Sequence, residues 1–393
     1  MDNKKTLSLN MIVGPGDASL VERFFNSISV LEKPFDEVVI VTTTADSAVI
    51  DVANKYGTSV YQKQWATKKY PYGDFAGARN VAIENSHCDY VMWIDADDVF
   101  NQKNLEKRWS GIRGILDTNE YDMLLMPYCL TESEDKKALN TILRERIFRR
   151  DTGLLWVEPV HEQLPWWDME MRVQTISGDY IVTHKPEKVP GSGVIRNIKI
   201  LQHEYYERHT RHSQYYLGRD LIAIDRTTEA IPILARYVDE FDGEDIHVFD
   251  ACMDLCVHYL YEKCVDKVRL RTESIDIAER YAMIAMSIET EMAELWCYLG
   301  DIARDKGDTA LAIRHYSRAM RTPFGKSGLV QRREYYEAIP AKKLSEIYHA
   351  QDKLEEALLY NKTALKHAPE DSALRKSYKE IAEKIFYLST EKC

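Results

Sequence analysis

The stretch that decides the fold is Tyr90–Asp98, with the sequence YVMWIDADD. Its first five residues are mostly apolar, as in a strand buried on both faces of a sheet. Three carboxylates, Asp95, Asp97 and Asp98, follow within four positions. Two carboxylates at alternate positions can turn toward one point, and Mg²⁺ and Mn²⁺ prefer oxygen ligands. The stretch therefore predicts either an Asp-x-Asp metal site or an acidic turn that caps a following helix.

The composition limits the classes of protein to which the chain can belong. Its 393 residues are 45% hydrophobic, enough for roughly two or three domains with proper cores. The formal net charge of −11 argues against an extended nucleic-acid surface, because phosphate binding needs clustered Lys and Arg. No apolar run approaches the ~20 residues of a membrane span. The seven cysteines are scattered, which predicts buried thiols in a reducing cytoplasm.

Alternating strand and helix patterns precede the central stretch. Strands are expected at Leu7–Val13, Val38–Val41 and Thr58–Tyr61, and helices at 18–30 and 47–56. Short loops between these elements favour an α/β fold, in which helices cover a parallel sheet. Ligands of such sheets bind beyond the carboxyl ends of the strands. The loops at 14–17, 42–46 and 95–98 should therefore meet at one rim.

A second polar signal is DFAGARN, at residues 74–80. Asp74 can cap a helix from Phe75 to Glu84, which places Arg79 inside the helix near the same rim. The guanidinium of Arg79 could contact a diphosphate or orient one of the acids. Alternatively, Arg79 is a surface residue paired with Glu84 or with nothing.

The order of these elements, with DFAGARN in a helix and WIDADD after a buried strand, resembles family 2 glycosyltransferases of the GT-A fold. The resemblance covers roughly Leu7–His184 and favours the bacterial subgroup that carries tetratricopeptide (TPR) repeats. It implies transfer of a sugar from a nucleotide-diphosphate donor, a UDP-sugar first, usually with inversion. It also implies Mn²⁺ or Mg²⁺ on Asp95 and Asp97. The donor-binding residues that it implies are Val13, Gly14, Thr42, Asp46, Arg79 and Asp95.

Two positions depart from the pattern of the family. The family usually has Lys-Asn-Glu or a similar sequence after the first strand, where this chain has Gly14-Pro15-Gly16. The family usually has an Asp that contacts the base after the second strand, where this chain has Thr42, with Asp46 farther on. Both departures leave the identity of the nucleotide open, whereas Asp95 and Asp97 are intact.

The segment WVEPVHEQL, at 156–164, is similar to a His-Glu pair of the family. The resemblance implies that His161 is a ligand of the metal or the diphosphate. Glu158 or Glu162 is then the general base that takes the proton of the acceptor hydroxyl. The alternative is that His161 and Glu162 only cap a hairpin. His184, at the end of the last strand expected in this region, is a further candidate.

Beyond a linker at 186–193, rich in Pro and Gly, the sequence is almost entirely helical. The TPR pattern places small residues where paired helices cross and a proline at the end. Good copies lie at 296–323 and 344–369, and a looser copy contains Leu217, Gly218 and Ala230. The segment 250–291 is expected to be helical, and 325–333 to be a loop.

The chain is thus expected to have a GT-A catalytic domain at 1–190 and a TPR-like α-helical domain at 191–393. The leading hypothesis is a metal-dependent glycosyltransferase whose repeats bind the acceptor or a protein partner. A non-catalytic TPR scaffold with a degenerate transferase domain is the alternative. A nucleotidyltransferase is disfavoured because the loop after the first strand lacks Lys and Arg. The acceptor remains open between a peptide or protein, a glycan and a modified nucleic acid, and the repeats could also mediate self-association.

Overall fold

The structure is a computed structural model that describes residues 4–176, 181–187, 192–241, 245–264, 267–270 and 274–390. The chain divides into two compact units, Met1–Thr227 and Thr228–Cys393.

The first unit is a mixed sheet with helices. Its strands are β1 (Leu7–Val13), β2 (Glu37–Thr42), β3 (Ser59–Gln62), β4 (Tyr90–Asp95), β5 (Asp98–Phe100), β6 (Met123–Glu132), β7 (Ala138–Arg149), β8 (Val173–Thr175) and β9 (Val182–His184). Its helices are α1 (Ala18–Ser27), α2 (Ser47–Tyr56), α3 (Phe75–Glu84), α4 (Leu105–Thr118), α5 (Ser192–Arg208) and α6 (Arg211–Ala223). Short 3₁₀ helices lie at Arg150–Thr152 and Trp166–Asp168.

The strand order is β3-β2-β1-β4-β7-β6-β9-β5, with β8 beside β6. Strands β1 to β4 run parallel, and β7 is antiparallel to both β4 and β6. In this register Val13 lies opposite Thr42, and Ile12 lies opposite Asp95. The carboxyl ends of β2, β1 and β4 are therefore side by side, so the expected α/β fold and the meeting of its three loops are confirmed.

The core forms because β1 is buried on both faces. Leu7, Leu9 and Met11 pack in one cluster with Leu20 and Phe24 of α1. On the other face, α3 packs small alanines against valines of β2: Ala78, Ala82, Val39 and Val41. Fully burying one large aliphatic side chain contributes about 1.5–3 kcal/mol. This packing fixes α3, and hence Arg79, relative to the strand ends.

The second unit is mostly helical. Helix α7 (Thr227–Glu240) begins at the boundary and belongs to this unit from Thr228 on. The helices that follow are α8 (Ile246–Leu260), α9 (Ile275–Ile288), α10 (Ala293–Asp305), α11 (Thr309–Ala319), α12 (Ala338–Ala350), α13 (Leu354–His367) and α14 (Ser372–Thr390). Its short strands and 3₁₀ helix are β10 (Tyr261–Cys264), β11 (Lys267–Leu270), β12 (Gln331–Arg332) and Arg333–Tyr335. The two good TPR copies correspond to the packed pairs α10–α11 and α12–α13.

One expectation for this unit is wrong. The segment 250–291 is not continuously helical, because β10 and β11 form an antiparallel hairpin between α8 and α9. In its sequence, YEKCVDKVRL, only the last four residues, KVRL, alternate charged and apolar side chains, a period that favours a strand over a helix. The expected loop at 325–333 is held in place by Gln331, whose Oε1 accepts from the backbone N of Gly325 over 2.6 Å.

The boundary expected at 190/191 remains a prediction. The first compact unit continues to Thr227, so it includes α5 and α6, which the sequence pattern assigns to the repeats. The expected linker at 186–193 falls partly outside the described residues, at 188–191. Within the described part of the chain, no helix combines the length and apolarity that a bilayer crossing requires.

Candidate active site

The loop after β1 is held closed by Asp17. This residue is 7% exposed, and its Oδ2 accepts from the backbone N of Gly14 over 2.7 Å. Val13 before the loop is buried in the core. The donor roles expected of Val13 and Gly14 remain predictions. Any contact from Val13 would involve its backbone, because its side chain packs inward.

The polar side chains at the end of β2 and in the loop after it make hydrogen bonds to nearby backbone groups. Oγ1 of Thr42 donates to the backbone carbonyl of Tyr61 over 3.3 Å, and the residue is buried. Oδ1 of Asp46 accepts from the backbone N of Ala48 over 3.0 Å and caps α2. Asp46 keeps a second carboxylate oxygen for other contacts. The donor roles of Thr42 and Asp46 also remain predictions.

Helix α3 carries Arg79 to the rim. It begins at a cap in which Oδ1 of Asp74 accepts from the backbone N of Gly77 over 2.8 Å. A Cβ at residue 77 would lie 2.2 Å from Oδ2 of Asp74, so this cap requires glycine. Arg79 itself is 6% exposed, and the surface position paired with Glu84 is therefore wrong.

Arg79 connects two acids of the candidate site. Its Nη2 donates to Oδ1 of Asp95 and its Nε to Oε1 of Glu162, each over 2.6 Å. Its Cζ lies 4.6 Å from the ring centre of Trp93 and 5.0 Å from that of Trp156. A buried guanidinium is tolerated when carboxylates pair with it in this way. Arg79 therefore orients two acids, one of the roles that the sequence left open.

The acids of the central stretch take different partners. Burial alone would raise the pKa of Asp95, but the guanidiniums of Arg79 and Arg146 outweigh it and hold that pKa below its ordinary value. Burial, followed by the charge of Asp95, raises the pKa of Asp97. Asp98 begins β5, and α4 starts only at Leu105, so the acids do not form the helix cap that was the alternative.

Asp97, Asp98 and His184 form a group that could hold a metal ion. One ligand atom from each lies within 4.8 Å of the others. Nδ1 of His184 is 3.6 Å from Oδ1 of Asp97 and 3.7 Å from Oδ1 of Asp98. Burial lowers the pKa of His184, but the neighbouring carboxylates outweigh it and raise that pKa above its ordinary value. Nδ1 is buried and makes no hydrogen bond of ordinary geometry. Such a donor set fits a divalent cation.

Asp98 is also the anchor of the acidic turn. Its Oδ1 accepts from the hydroxyl of Tyr128 over 2.6 Å, and its Oδ2 lies 3.2 Å from Nη2 of Arg146. Asp98 and Arg146 are both 0% exposed. Pairing with β9 places Asp98 opposite His184. The buried ion pair thus fixes the turn that carries Asp97.

The loop with Glu158, His161 and Glu162 is the tip of a hairpin. Reciprocal backbone hydrogen bonds of 2.9 and 3.0 Å between Val157 and Gln163 close it. Glu158 (φ 68°) and His161 (φ 50°) have left-handed backbone conformations, which cost about 1–3 kcal/mol each outside glycine. The hairpin alternative is correct for the backbone, yet Glu162 also reaches Arg79.

Helix α6 holds this loop from the other side. Nε2 of His161 lies 3.0 Å from Oδ2 of Asp220, and its ring stacks on Tyr216 at 4.3 Å. Nε2 of His212 lies 2.9 Å from the carbonyl oxygen of Val160. The structure therefore brings His161 to α6 and not into the group of Asp97 and His184, and its metal role remains a prediction.

The sequence reasoning missed this contribution of α6. The signal was present, because His212, Tyr216 and Asp220 recur at every fourth position and so share one helical face. Leu217 and Gly218 in the same helix match the TPR pattern, so the sequence assigned α6 to the repeats and not to the site.

Glu158 lies in different surroundings from Glu162. Burial raises its pKa, and its charged neighbours are Glu204, Arg208 and Lys69. The structure therefore separates the two candidate bases by their partners: Glu162 contacts the arginine that also holds Asp95, and Glu158 faces charges of α5 and of the loop before α3.

Residues 17–119 match the family model described as Glycosyl transferase family 2. The chain contains a family 2 glycosyl transferase domain. The matched range includes Arg79, Asp95 and Asp97, whereas Glu162 and His184 lie beyond it. The resemblance noted in the sequence is confirmed, and the TPR-like helices follow this domain.

Similar proteins include the SPbeta prophage-derived glycosyltransferase SunS of Bacillus subtilis (strain 168). It is 22% identical over 261 residues, 64% of this chain and 58% of that protein, so the chain spans less than two thirds of it. A TPR repeat-containing protein of Synechococcus elongatus is 26% identical over 157 residues, 40% of this chain and 34% of that protein. The crystal structure of S. aureus TarS 1-349 in complex with UDP has 13% identity and a TM-score of 0.35, covering 81% of this chain and 93% of that one.

Proposed function

We propose that the chain transfers a glycosyl group from a nucleotide-diphosphate sugar, a UDP-sugar first, to an acceptor hydroxyl. The observation that supports this proposal is the arrangement of side chains at the carboxyl ends of the parallel strands. Asp97 lies beside His184, and Arg79 joins Asp95 to Glu162. A candidate cation site and a candidate base thus lie near the carboxyl ends of parallel strands, where ligands of such sheets bind. The family 2 domain supports the reaction class.

Asp97 and His184 would hold a Mn²⁺ or Mg²⁺ ion, with Asp98 close behind them. The support is the buried Nδ1 of His184, which has no ordinary hydrogen bond and faces carboxylates. An ion there would offset the negative charge that develops on the leaving diphosphate. Asp95 and His161 have Arg79 and Asp220 as partners, so they are the weaker candidates for ligands.

Glu162 would take the proton of the acceptor hydroxyl. As the acceptor oxygen bonds to the anomeric carbon, the bond from that carbon to the diphosphate oxygen breaks and the nucleotide diphosphate leaves. Attack from the face opposite the leaving group would invert the anomeric centre. Glu162 is favoured over Glu158 because Arg79 holds its carboxylate relative to Asp95. The loops with Val13, Gly14, Thr42 and Asp46 would lie against the base and the ribose.

The test is a panel of nucleotide sugars with the full chain. Each donor is given with Mn²⁺, Mg²⁺ or a chelator, and released nucleotide diphosphate is measured. We expect release from one donor. The release should be lost in chelator, in Asp97→Asn and in His184→Ala. It should be unchanged in Asp51→Asn, a control at an exposed position. If no donor is cleaved under any condition, the non-catalytic scaffold replaces this proposal.

A second comparison identifies the base. With an acceptor present, Glu162→Gln should lose transfer by at least about 100-fold, the lower end of the range for general-base catalysis. A loss of that size in Glu158→Gln, with Glu162→Gln active, would assign the base to Glu158.

The second unit would bind an acceptor protein or a partner, as helical repeats commonly do. A peptide, a protein and a glycan are all compatible acceptors, and the formal charge of −11 disfavours a nucleic acid. We also propose that the protein acts in the cytoplasm, because four of its described cysteines are buried and form no disulfide: Cys88, Cys252, Cys256 and Cys297. Self-association through the repeats would double the mass in light scattering, and a monomeric mass would reject it.

A further inference from the structure

We propose that Arg196, near the start of α5, binds the diphosphate of the sugar donor. This inference rests on the proposed function and deepens it. Arg196 lies outside residues 17–119 and beyond the domain boundary expected from the sequence. It comes from a helix that the sequence pattern assigns to the repeats.

Other arginines at the rim are already neutralised by carboxylates. Arg79 is bonded to both Asp95 and Glu162. Nη2 of Arg144 lies 3.1 Å from Oε1 of Glu145. Arg146 is paired with Asp98 inside the core and is 0% exposed. A diphosphate could gain a cation from these arginines only by breaking one of the pairs. Breaking a buried pair is unfavourable because it leaves a carboxylate without its counter-charge.

Arg196 has no carboxylate partner of this kind among the described residues. Its Nε and Nη2 donate to the neutral amide oxygen of Asn197, over 3.2 and 2.9 Å. Its Cζ lies 4.6 Å from the ring centre of Phe75, the first residue of α3. The backbone N of Phe75 in turn donates to the carbonyl of Pro159 over 2.9 Å, in the loop of the candidate base. Arg196 is therefore positioned by an aromatic face and a neutral amide.

The guanidinium lies against the first residue of α3, close to the loop of the candidate base, and among the described residues it has no ion pair with the acids of the rim. The carboxylates that act on it electrostatically come from four separate elements: Glu162, Asp17, Asp220 and Asp97. No ion pair joins Arg196 to any of them in the described part of the chain. The residue is exposed at one edge, although the surrounding protein desolvates the guanidinium and lowers its pKa despite these acids. Arg196 is therefore a cation next to the start of the helix that carries Arg79, and Asp97 is among the acids that act on it.

A diphosphate is a chemically suitable ligand for this cation. Guanidinium presents a planar fork of N–H donors that matches two phosphate oxygens. The Nε and Nη2 edge of Arg196 bonds to Asn197, so the edge formed by Nη1 and Nη2 would meet the phosphate oxygens. The phosphate oxygens would lie between Arg196 and the candidate cation site at Asp97 and His184. When the glycosyl bond breaks, the electron pair stays on the diphosphate, and Arg196 would stabilise that added charge.

The test measures binding of UDP, uridine and inorganic pyrophosphate to the full chain by calorimetry. The variants are Arg196→Ala, Arg196→Lys and the matched control Lys199→Ala, which removes an exposed cation from the same helix. Arg196→Ala should weaken binding of UDP and pyrophosphate by about 10- to 100-fold, equivalent to about 1.4–2.8 kcal/mol, and leave uridine binding unchanged, because a charge-assisted contact to phosphate is lost. Arg196→Lys should be intermediate, because an ammonium is a point charge without the fork.

The outcomes separate this inference from the proposed function. If the wild type binds UDP and releases nucleotide diphosphate, but Arg196→Ala binds UDP equally well, the inference is overturned and the function stands. An equal loss for uridine and UDP would indicate a structural role and would also overturn it. If the wild type binds no UDP or pyrophosphate and cleaves no donor, both proposals fail.

Discussion

Nε2 of His161 lies 3.0 Å from Oδ2 of Asp220, so an imidazole–carboxylate pair joins the loop of the candidate base to helix α6. His161 directly precedes Glu162 and has a left-handed backbone conformation. Such a conformation persists only where its surroundings hold it, and Asp220 is one of the groups that do so here. Asp220 is therefore a positioning residue in this arrangement.

Replacing Asp220 by Ala should lower kcat about tenfold, equivalent to about 1.4 kcal/mol, while the KM for the donor stays unchanged. The reason is that the loop can then move Glu162 away from the acceptor, whereas the donor loops keep their geometry. Asp220→Asn should recover part of the activity, because an amide can still hydrogen-bond to the imidazole. Steady-state kinetics measures both constants. Asp239→Ala, at an exposed ion pair of α7, serves as control. A rise in KM with unchanged kcat would contradict the positioning role.

Replacing Arg79 by Lys should reduce kcat/KM by at least about 100-fold and also lower the thermal midpoint. A single ammonium cannot reproduce two N–H bonds from different edges of a guanidinium, and one buried carboxylate would lose its partner. Kinetics and calorimetric melting measure the two effects. Arg280→Lys, at an exposed ion pair with Asp239, should change neither. Wild-type kinetics in Arg79→Lys would show that the bridge between Asp95 and Glu162 is dispensable.

Replacing Gly300 by Ala should destabilise the second unit by about 1–3 kcal/mol, because overpacking in a tight interface forces side chains and backbone to move. A Cβ at this position would lie 2.5 Å from the ring of Tyr316, where α10 and α11 cross. Urea denaturation measures the change. Gly111→Ala in α4 is the matched control, since a Cβ there meets no atom within 4 Å. That control should be stabilising by up to about 1 kcal/mol through helix propensity. Equal midpoints for the two variants would contradict the close approach.

Replacing Asp122 by Asn should lower the free energy of unfolding by about 1 kcal/mol at neutral pH, a value kept small because its partner Arg172 is half exposed. Hydrogen bonds from Arg172 hold the pKa of Asp122 below its ordinary value. A lowered folded pKa contributes stability above the unfolded pKa of about 3.9, and that stability is lost as pH falls through the folded pKa. The difference between wild type and variant should therefore shrink between about pH 5 and pH 3. Chemical denaturation across this range measures it, with exposed Asp135→Asn as control.

Local patterns predicted much of the first unit correctly. The bounds expected for Leu7–Val13, Ser47–Tyr56 and Phe75–Glu84 agree with β1, α2 and α3. These elements have clear periods of two or 3.6 residues, and α2 and α3 have an Asp cap. The hairpin of β10 and β11 was missed because its two short strands lie between two long helical patterns.

The site was predictable in its residue types but not in its pairings. The sequence identified Asp95, Asp97 and Glu162, yet it could not tell that Arg79 would join the first to the third. It treated Asp97 and His161 as partners, whereas Asp97 lies near His184. These pairings depend on how β9 and α6 pack, and no local period encodes that packing.

The sequence by itself determined that acids follow a buried parallel strand, that Arg79 lies on a capped helix at the same rim, and that paired helices follow. These features depend on residue spacing within one element. The tertiary structure alone decided which partner each acid takes, and it brought Arg196 and Asp220 to the first unit. His161 and Asp220 are 59 residues apart in the chain, and only the packing of α6 on the loop of the candidate base brings them into contact. The packing of these two helices on the loops of the rim thus sets the electrostatics of the site.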